Sequence, residues 1–395
     1  MQGHGDRAPP SFRLLMDTLL FTLLVGLMLT SCGYYLFTLY AARRLFRQEA
    51  ISSTDFPPVS IFKPLKGATD QLYKHLASFC RLDYPVVQIL CGVRHSHDPA
   101  IAVVQRLQND FPQCNIVLVV NPEVIGSNYK VSTLHHLLHQ AKHDIFVITD
   151  GDVTVTPGYL RQIIPPLNDP YIGLVTCPYR GGSTSPLPAI LESLLINTGF
   201  ASMILVASQV EKTTYAFGAT MAVKRKALEK IGGFAVLADY LADDYYLGNL
   251  VARSGYQVRI LPHVVETHPG VTGVRDFFHH QLRWARTQRL CRPGGYFGTL
   301  ITYGVIWALL GVALFPASIP MWQLALVTVG LRLYSTSLVS DRFLDAKVTR
   351  RFLWLVPLTD ILSFFVWLLS LWGNTVHWGE YQFRVQRDGK MTRVE

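Results

Sequence analysis

Two clusters of carboxylates in the sequence could carry out chemistry, and the first is Asp150-Gly151-Asp152. It directly follows the apolar run at residues 145–149, which has the composition of a buried strand. Mg²⁺ and Mn²⁺ prefer carboxylate and phosphate oxygens, so Asp150 and Asp152 at a strand end could share a cation that also binds a diphosphate. An Asp-Gly-Asp sequence is also a common turn. The metal site is therefore predicted only in combination with a second acidic cluster.

The second cluster consists of Asp239, Asp243 and Asp244, and the last two open a helical stretch that runs to Arg253. A free carboxylate at this position could act as a general base on an acceptor hydroxyl. Carboxylates at a helix N-terminus also cap the helix and interact favourably with its dipole. One of the pair Asp243 and Asp244 could therefore have only that structural role.

A third segment with chemical potential is His280-Gln281-Leu282-Arg283-Trp284. Its arginine could neutralise phosphate charge, and its tryptophan could stack on a ligand or pack at a membrane edge. By itself, the segment is also typical of a basic helix at a membrane surface.

Residues 58–269 supply the elements that must position these groups. Short β-rich runs alternate there with amphipathic helical stretches, which predicts an α/β fold with a mostly parallel sheet covered by helices on both faces. Ligands of such sheets bind outside the carboxyl ends of the strands. The predicted strands are residues 59–62, 86–93, 115–119, 144–149 and 173–176.

Long apolar runs flank this domain. The chain of 395 residues is 50% hydrophobic and 16% charged, with a mean hydropathy of +0.25, which is typical of a membrane protein. Residues 18–40 are long enough to cross a hydrocarbon core of about 30 Å. Runs at 296–315, 321–340 and 352–372 predict about three C-terminal transmembrane helices. The predicted parts are an anchor with its basic flank (1–50), a catalytic domain (51–293) and a C-terminal membrane region with a tail (294–395).

The distribution of basic residues predicts the topology. The formal charge is +9, and much of the excess lies beside the apolar runs, as at Arg43, Arg44 and Arg47. Juxtamembrane basic residues mark the cytoplasmic side, so we predict a multi-pass membrane protein with a cytoplasmic central domain. No nucleic-acid-binding signature accompanies the charge, so nucleic acid is not predicted as a partner.

Four polar residues interrupt the apolar runs. Residues 186–208 contain Glu192 and Asn197, and a crossing here would separate the two acidic clusters. We therefore predict a helix in the membrane surface, with a transmembrane or a buried core helix as alternatives. Arg332 and Asp360 lie in two C-terminal runs, and we take their pairing as a hypothesis because unpaired charge in lipid is costly.

The side of the membrane on which the C-terminal tail lies is open at this stage. Three C-terminal spans would place it outside, whereas its basic residues favour the inside. The tail's basic residues are Arg384, Arg387, Lys390 and Arg393.

In this order and spacing, the segments resemble the GT-A glycosyltransferases of the processive-synthase superfamily, and most closely the ceramide glucosyltransferase-like family. The resemblance covers roughly residues 58–295. The segments that carry it are residues 59–67, Leu82-Asp83-Tyr84-Pro85, His97-Asp98-Pro99-Ala100, Asp150-Gly151-Asp152, Gly232-Gly233-Phe234, Asp243-Asp244-Tyr245 and Arg283-Trp284.

The resemblance implies a role for individual residues. It places Asp98 near the uridine, Asp150 and Asp152 on the metal-diphosphate, and Asp244 as the catalytic base. It further implies that Arg283 with Trp284 closes over the diphosphate.

Three lysines would add positive charge around the nucleotide, although a solvated surface is the alternative for them. They are Lys63, Lys66 and Lys130. The chain departs from the family pattern at two places: His280 stands where Gln or Arg is usual, and Tyr129 replaces the proline of an expected Asn-Pro-Lys.

The activity implied by the resemblance is inverting transfer of glucose or N-acetylglucosamine from a UDP-sugar to a hydroxyl of a membrane lipid, with Mg²⁺ or Mn²⁺ as cofactor. Segments 280–287 and 292–296 resemble bacterial hopanoid-biosynthesis transferases. They favour a hopanoid polyol slightly over ceramide as the acceptor, and the bacterial inner membrane as the location. Two alternatives are a processive polysaccharide synthase, which usually needs more spans, and a non-catalytic membrane scaffold, against which the intact acidic set argues.

Overall fold

The computed structural model describes residues 10–48 and 54–394. Strands and helices alternate through the middle of the chain, and long apolar helices lie towards both ends. The strands are β1 (Val59–Pro64), β2 (Val87–Val93), β3 (Asn115–Val120), β4 (Ile145–Ile148), β5 (Val153–Thr154), β6 (Ile172–Thr176), β7 (Tyr179–Gly181), β8 (Met221–Lys224), β9 (Gln257–Ile260), β10 (Val265–Thr267), β11 (Thr375–Trp378), β12 (Tyr381–Val385) and β13 (Met391–Val394). The helices are α1 (Pro10–Phe46), α2 (Leu72–Phe79), α3 (Ala100–Asp110), α4 (Tyr129–Leu138), α5 (Tyr159–Ile163), α6 (Leu187–Leu195), α7 (Ala201–Val210), α8 (Arg225–Lys230), α9 (Asp243–Arg253), α10 (Val274–Cys291), α11 (Pro293–Gly298), α12 (Gly304–Leu314), α13 (Ile319–Val339), α14 (Lys347–Arg351) and α15 (Val356–Ser370).

The main sheet has seven strands in the order β3-β2-β1-β4-β8-β6-β9. Strand β8 runs antiparallel to its neighbours β4 and β6, and the other pairings are parallel. The prediction of a mostly parallel sheet is thus confirmed. The five predicted strands correspond to β1, β2, β3, β4 and β6, whereas β8 and β9 were not predicted.

The central strands are buried on both faces. Ile61 and Val147 lie in the core on one face of the sheet, and Phe62 and Phe146 lie in the core on the other. Successive residues of a strand point to opposite faces, so a strand covered on both sides needs apolar residues at every position. Polar side chains therefore begin where the strands end, as at Asp150 after β4.

A second sheet, in the order β5-β10-β7, fixes the chain just after β4. Strand β5 begins at Val153 and pairs antiparallel with β10, with Thr154 opposite Glu266. Strand β10 also pairs with β7, in parallel. Because Asp152 lies between β4 and β5, both sheets determine its position. We call these two sheets, with the helices that cover them, the sheet domain.

Several helices have the length and composition of membrane spans. Among the described residues, Ser11–Phe46, Leu187–Val210 and Leu353–Ser370 are long and apolar enough to cross a membrane. The helices Pro293–Thr302 and Gly304–Leu314 together form a further candidate that is bent by 53°. The predicted N-terminal anchor is therefore present as a helix of spanning length. Of the three predicted C-terminal spans, 352–372 corresponds to a candidate, 296–315 corresponds to the bent pair, and 321–340 forms helix α13, which is not among the candidates. Helix 187–210 also qualifies.

Helices α12 and α13 pack along α1 and return to the sheet domain. At the connection between them, Phe315 contacts Phe21 in the N-terminal half of α1, with ring centroids 5.2 Å apart. At the other end of α13, Val339 lies in a cluster with Ala42 near the end of α1. The same cluster contains Phe217 of the sheet domain. The end of α13 therefore lies on the same side as the sheet domain.

A buried ion pair joins α13 to α15. Arg332 donates from Nε to Asp360 Oδ2 at 2.9 Å and from Nη2 to Asp360 Oδ1 at 2.7 Å. Both residues are buried, with 5% and 6% of their surfaces exposed. The hypothesis that these two charges pair is confirmed. The bidentate geometry gives each charge the partner that an apolar environment requires.

Residues 187–210 form a helix, here called helix 187–210, that contains a π turn at Ile196–Phe200. Within its most apolar 18-residue window, 72% of residues are buried in the protein. Asn197 accepts from the Gly181 amide at 2.7 Å and donates to its carbonyl at 3.1 Å, and Glu192 binds side chains of α10. The polar residues thus attach the helix to the protein, and its location in the membrane surface stays a prediction.

The C-terminal tail forms a three-stranded antiparallel sheet, β11-β12-β13, which we call the tail sheet. It hydrogen-bonds to the sheet domain from Leu241 N to Gly389 O at 3.2 Å and from Met391 N to Asp239 O at 2.7 Å. Phe383 is buried in the same contact. The tail therefore lies on the side of the sheet domain, as its basic residues indicated.

We predict that Arg332→Met strongly destabilises the protein, because it leaves the Asp360 carboxylate buried without a partner. Breaking a buried pair in this way costs about 3–5 kcal/mol. Thermal unfolding in detergent should show a lower midpoint, and adding Asp360→Leu should restore most of it.

Arg350→Met is the matched control for this prediction. Arg350 pairs with Asp341 at 2.7 Å, but its side chain is 54% exposed, and exposed pairs contribute about 0–1 kcal/mol. Equal unfolding midpoints for Arg332→Met and Arg350→Met would contradict the structural role of the buried pair.

Candidate active site

Asp150 is the first charged side chain after β4, and two lysines fix it. Its Oδ1 accepts from Lys130 Nζ at 2.8 Å, and its backbone carbonyl accepts from Lys63 Nζ at 2.8 Å. The carboxylate remains 39% exposed. Asp150 is thus held rigidly and still has open acceptor positions on its side chain.

Asp152, two residues later, is fixed by the small sheet. Its Oδ2 accepts from Thr267 Oγ1 at 2.7 Å, and its backbone carbonyl accepts from the His268 amide at 3.0 Å. Burial, together with the negative charge of Asp150, raises the pKa of Asp152. The two neighbouring carboxylates therefore repel each other, and a cation between them would remove that repulsion.

The acidic pair fits a Mg²⁺ or Mn²⁺ ion that is bound together with a diphosphate. No group of three or more His, Cys, Asp or Glu side chains converges on a metal position within residues 10–48 and 54–394. Magnesium is commonly held by one or two carboxylates plus substrate phosphates and waters, without a complete protein cage. Asp150 and Asp152 supply that number of carboxylates.

Lys63 lies beneath the Asp-Gly-Asp turn and does not face solvent. The residue is fully buried, and its ammonium lies 3.6 Å from the centroid of the Phe79 ring. Burial lowers the pKa of Lys63 to about 7, although Asp152 and Asp150 oppose the shift. A solvated surface, the alternative considered for this lysine, is therefore wrong. The Lys63 ammonium instead fixes the backbone of the turn, because it donates to the Asp150 carbonyl.

Lys130 joins the two acidic clusters. Its Nζ lies 2.8 Å from Asp150 Oδ1 and 3.3 Å from Asp243 Oδ2, and its side chain is 18% exposed. Burial alone would lower the pKa of Lys130, but Asp150 and Asp243 raise it above its usual value. Asn128 caps the helix that carries Lys130 by accepting from the Val131 amide at 3.0 Å. A solvated surface is therefore wrong for Lys130 as well.

Asp244 has the properties of a general base. Its Oδ2 accepts from the Gly218 amide and its Oδ1 from the Tyr245 amide, both at 2.8 Å. Burial and the neighbouring charge of Asp243 raise the pKa of Asp244 to about 6. A carboxylate offers about four acceptor positions, so two amide bonds leave room for a substrate hydroxyl.

A purely structural role as a helix cap was open for one of the pair Asp243 and Asp244, and Asp243 does not have that role. No side chain caps helix α9, and Ala242 occupies its N-cap position. Asp243 is instead buried and pairs with Lys130. It is Asp244 that binds a backbone amide of the first helical turn.

Gly218 marks the point at which the two clusters meet. A Cβ on this residue would lie 3.3 Å from both Asp150 Oδ2 and Asp244 Oδ2, and 3.6 Å from Lys130 Nζ. A larger residue would therefore occupy the space between the Asp150 carboxylate and the candidate base. No sequence signal pointed to Gly218, because it lies in the connection before the unpredicted strand β8.

Arg283 and Trp284 lie on α10, beside this centre. The Arg283 guanidinium lies 5.4 Å from the centroid of the Trp378 ring in the tail sheet. Burial lowers the pKa of Arg283 to about 10, and Glu192 and Asp150 oppose that shift. Arg283 is thus charged at neutral pH and could neutralise a departing diphosphate.

His280 has a structural partner that explains the departure from the family pattern. Its Nδ1 lies 2.8 Å from Oε1 of Glu192, which is 1% exposed, and its ring lies 4.5 Å from that of Trp284. Gln281 Nε2 also donates to Glu192, at 3.3 Å. His280 therefore binds α10 to helix 187–210 and supports Trp284.

Asp98 and Lys66 follow β2 and β1, at the same edge of the sheet as Asp150. Both carboxylate oxygens of Asp98 accept from the Gly67 amide, at 3.0 and 3.1 Å, and Oδ1 also accepts from the Ala100 amide at 2.9 Å. Asp98 thus holds the loop that contains Lys66. Lys66 is exposed, and its Nζ lies 5.6 Å from the Tyr381 ring of the tail sheet.

The tail sheet, which was not predicted from the sequence, borders this site. Tyr129 packs edge-on against the Tyr381 ring, with centroids 5.4 Å apart. On α10, Arg286 donates to the Thr375 and Trp372 carbonyls, and Arg289 donates to the Gly373 carbonyl at 2.8 Å. The alternation of Tyr381 and Phe383 with polar residues is the signal that could have indicated a strand.

Comparison with known proteins agrees with this geometry. The family model for glycosyl transferase family 21 matches residues 23–391. Ceramide glucosyltransferase 3 of Caenorhabditis elegans is 24% identical over 285 residues, which span 70% of this chain and 61% of that protein. Ceramide glucosyltransferase 1 of the same organism is 24% identical over 370 residues, which span 89% of this chain and 76% of that protein.

A solved structure supports the fold. The mannosyltransferase PcManGT from Pyrobaculum calidifontis, in complex with GDP-Man and Mn²⁺, superposes with a TM-score of 0.55 and 20% identity, covering 88% of this chain and 99% of that chain. At that identity the likeness concerns the fold alone, and the predicted GT-A-like architecture is confirmed. Because the family match runs from the N-terminal anchor through both acidic clusters to the tail sheet, the chain belongs to glycosyl transferase family 21.

Proposed function

We propose that this chain transfers a sugar from a UDP-sugar to a hydroxyl group of a membrane lipid, with inversion at the anomeric carbon. The observation that carries the proposal is the convergence of Asp150, Asp244 and Lys130 around Gly218. Inverting transfer needs a base for the incoming hydroxyl and positive charge for the departing diphosphate. Both requirements are met within one small region of the sheet edge.

The donor is held at the carboxyl ends of β1, β2 and β4. Asp150 and Asp152 would hold a Mg²⁺ or Mn²⁺ ion, which neutralises diphosphate charge when it is bound. Lys130 keeps Asp150 in place, and Arg283 supplies a second positive charge from α10. The names of the two nematode relatives favour UDP-glucose over UDP-N-acetylglucosamine as the donor.

Asp244 acts as the base in this proposal. One of its oxygens accepts the proton of the acceptor hydroxyl while that hydroxyl oxygen bonds to the anomeric carbon. The bond from the anomeric carbon to the diphosphate oxygen breaks at the same time, and UDP departs with the electron pair. The amides of Gly218 and Tyr245 orient the Asp244 carboxylate during this step.

The acceptor is a membrane lipid because apolar helices border the site. Helix 187–210 attaches to α10 through Glu192 and to the small sheet through Asn197. The names of the relatives favour ceramide, and a hopanoid polyol is the second candidate. The sheet domain would face the cytoplasm, and the inner membrane of a bacterium is the proposed location.

The product identifies the reaction directly. Purified protein would be incubated with UDP-glucose or UDP-N-acetylglucosamine and a total lipid extract, and lipids would be analysed by mass spectrometry. We expect one hexose per acceptor molecule. A ladder of products with increasing sugar number would indicate a processive synthase, and donor binding without product would indicate a scaffold.

Removal of the divalent cation should abolish transfer. Asp152→Ala should raise the KM for the UDP-sugar by about tenfold or more, because charged interactions of about 1.5–3 kcal/mol are lost. Asp144→Ala is the matched control, since Asp144 is 87% exposed and pairs only with surface Arg225. Full activity in excess chelator would exclude the role assigned to Asp150 and Asp152.

Asp244→Asn should lower kcat by about 10²- to 10⁴-fold, the usual contribution of a positioned base, with little change in donor affinity. Wild-type kcat should rise with pH through about 6 and then level off, because the base acts only when deprotonated. The variant should lose that rise. Asp243→Asn should instead affect donor binding, since Asp243 shares Lys130 with Asp150. A near-normal kcat in folded Asp244→Asn protein would show that another group is the base.

A further inference from the structure

A cavity of about 140 Å³ lies among the apolar helices, next to the candidate active site. Its walls come from α1, helix 187–210, α10, residues 296–303, α13 and α15. The lining residues used below are Thr198, Gly199, Phe200, Trp284, Arg332 and Asp360. From this cavity we infer the location of the acceptor: we propose that it binds the part of the lipid next to the reacting hydroxyl. The inference rests on the proposed function and assigns its acceptor site.

The cavity wall contains a π turn that is held from two sides. Within this turn, at Ile196–Phe200, the Asn197 side chain accepts from the Gly181 amide and donates to the Gly181 carbonyl in the small sheet. On the other side, Arg332 Nη1 donates to the Thr198 carbonyl at 3.3 Å. A π turn is rare and occurs often at functional sites. Here, two buried polar side chains keep it in place.

Thr198 gives the cavity an unused polar group. The residue is 2% exposed, and its Oγ1 has no hydrogen-bond partner within the described residues. A buried hydroxyl without a partner is unfavourable, and in this proposal a hydrogen-bonding group of the ligand becomes its partner. A hydroxyl or amide group of a lipid would do so.

The cavity is linked to the base through one aromatic contact. The Phe200 ring, in the cavity wall, contacts the Phe217 ring with centroids 5.5 Å apart. Phe217 precedes Gly218, whose amide binds Asp244. On the opposite wall, Trp284 follows Arg283 on α10. A molecule in the cavity would therefore contact Phe200, whose ring touches the segment that orients Asp244, and Trp284, the neighbour of Arg283.

The dimensions and chemistry of the cavity suit one part of an amphiphile. Aromatic side chains make up much of the wall, and Arg332 with Asp360 adds a polar region. Drug-sized ligands occupy cavities of about 300–1,000 Å³, so this one holds only the segment next to the headgroup, and the remaining chain stays in the bilayer. Gly199 is exposed at the cavity, so a lipid could enter there from the side.

Gly199→Leu adds a side chain at the exposed edge of the cavity without a steric conflict in the protein. A Cβ on Gly199 would meet no atom within 4 Å, so the new side chain extends into free space. Gly330 on α13 also has open space around its Cβ and does not line the cavity, so Gly330→Leu is the matched control. A second variant, Thr198→Val, keeps the shape of the side chain and removes the hydroxyl.

The test measures transfer from UDP-glucose to short-chain ceramide in detergent micelles, and UDP-glucose binding by calorimetry. We expect Gly199→Leu to raise the KM for ceramide by about tenfold or more with unchanged donor affinity, and Thr198→Val to raise it several-fold. Gly330→Leu should behave as wild type. Wild-type ceramide KM values in both cavity variants would overturn the assignment of the acceptor site.

A binding measurement separates this inference from the proposed function. A ceramide with a diazirine in its acyl chain, in nanodiscs, should label residues 196–203 or Trp284 on irradiation, and Gly199→Leu should reduce the labelling. Labelling at other helices would overturn the inference even if transfer occurs. If wild-type protein binds UDP-glucose and is labelled at the cavity, yet transfers no sugar, the proposed function fails while the lipid site stands.

Discussion

The site depends on the two ion pairs that the largely buried Lys130 ammonium forms with Asp150 and Asp243. The ammonium neutralises Asp150, at the end of β4, and Asp243, at the start of α9, two segments far apart in the chain. Without it, Asp150, Asp243 and Asp244 would form a partly buried cluster of like charges, and such clusters protonate or move apart. Lys130 also retains its proton despite burial, because these carboxylates raise its pKa. The two acidic clusters thus converge because Asp150 and Asp243 share one cation, which places Asp244, the neighbour of Asp243, near Asp150.

This arrangement explains which features could be predicted from sequence. The strands β1, β2 and β4 are buried on both faces, so they appear as largely apolar runs, and the Asp-Gly-Asp turn follows where that requirement ends. Such local patterns can be recognised within one stretch of sequence. The pairing of Asp243 with Lys130 cannot, because the two residues are over a hundred positions apart. A carboxylate in a first helical turn looks like a cap in sequence, and only tertiary contact shows otherwise.

Burial accounts for the remaining differences between the features predicted from the sequence and those in the structure. Lys63 lies near the end of strand β1 and looks like a solvated lysine in sequence, but its ammonium donates to the Asp150 carbonyl. Strand β8 is only Met221–Lys224, too short to give a clear period, so Gly218 before it could not be located. The tail sheet was missed for a related reason. Its strands are short, and their apolar side chains are buried only because residues such as Leu241 cover them.

Helix 187–210 and the tail sheet are both attached to α10, the helix that carries Arg283 and Trp284. Helix α10 is held on one side by Glu192 of helix 187–210, through His280, and on the other by the tail sheet, through Arg286. Both contacts use charged groups that are partly or fully removed from water, where such hydrogen bonds are strong and directional. Arg283 and Trp284 lie between these two attachments. Any shift of helix 187–210 must therefore move either Arg283 or the hydrogen bonds that hold α10, which couples the position of this helix to the acidic centre.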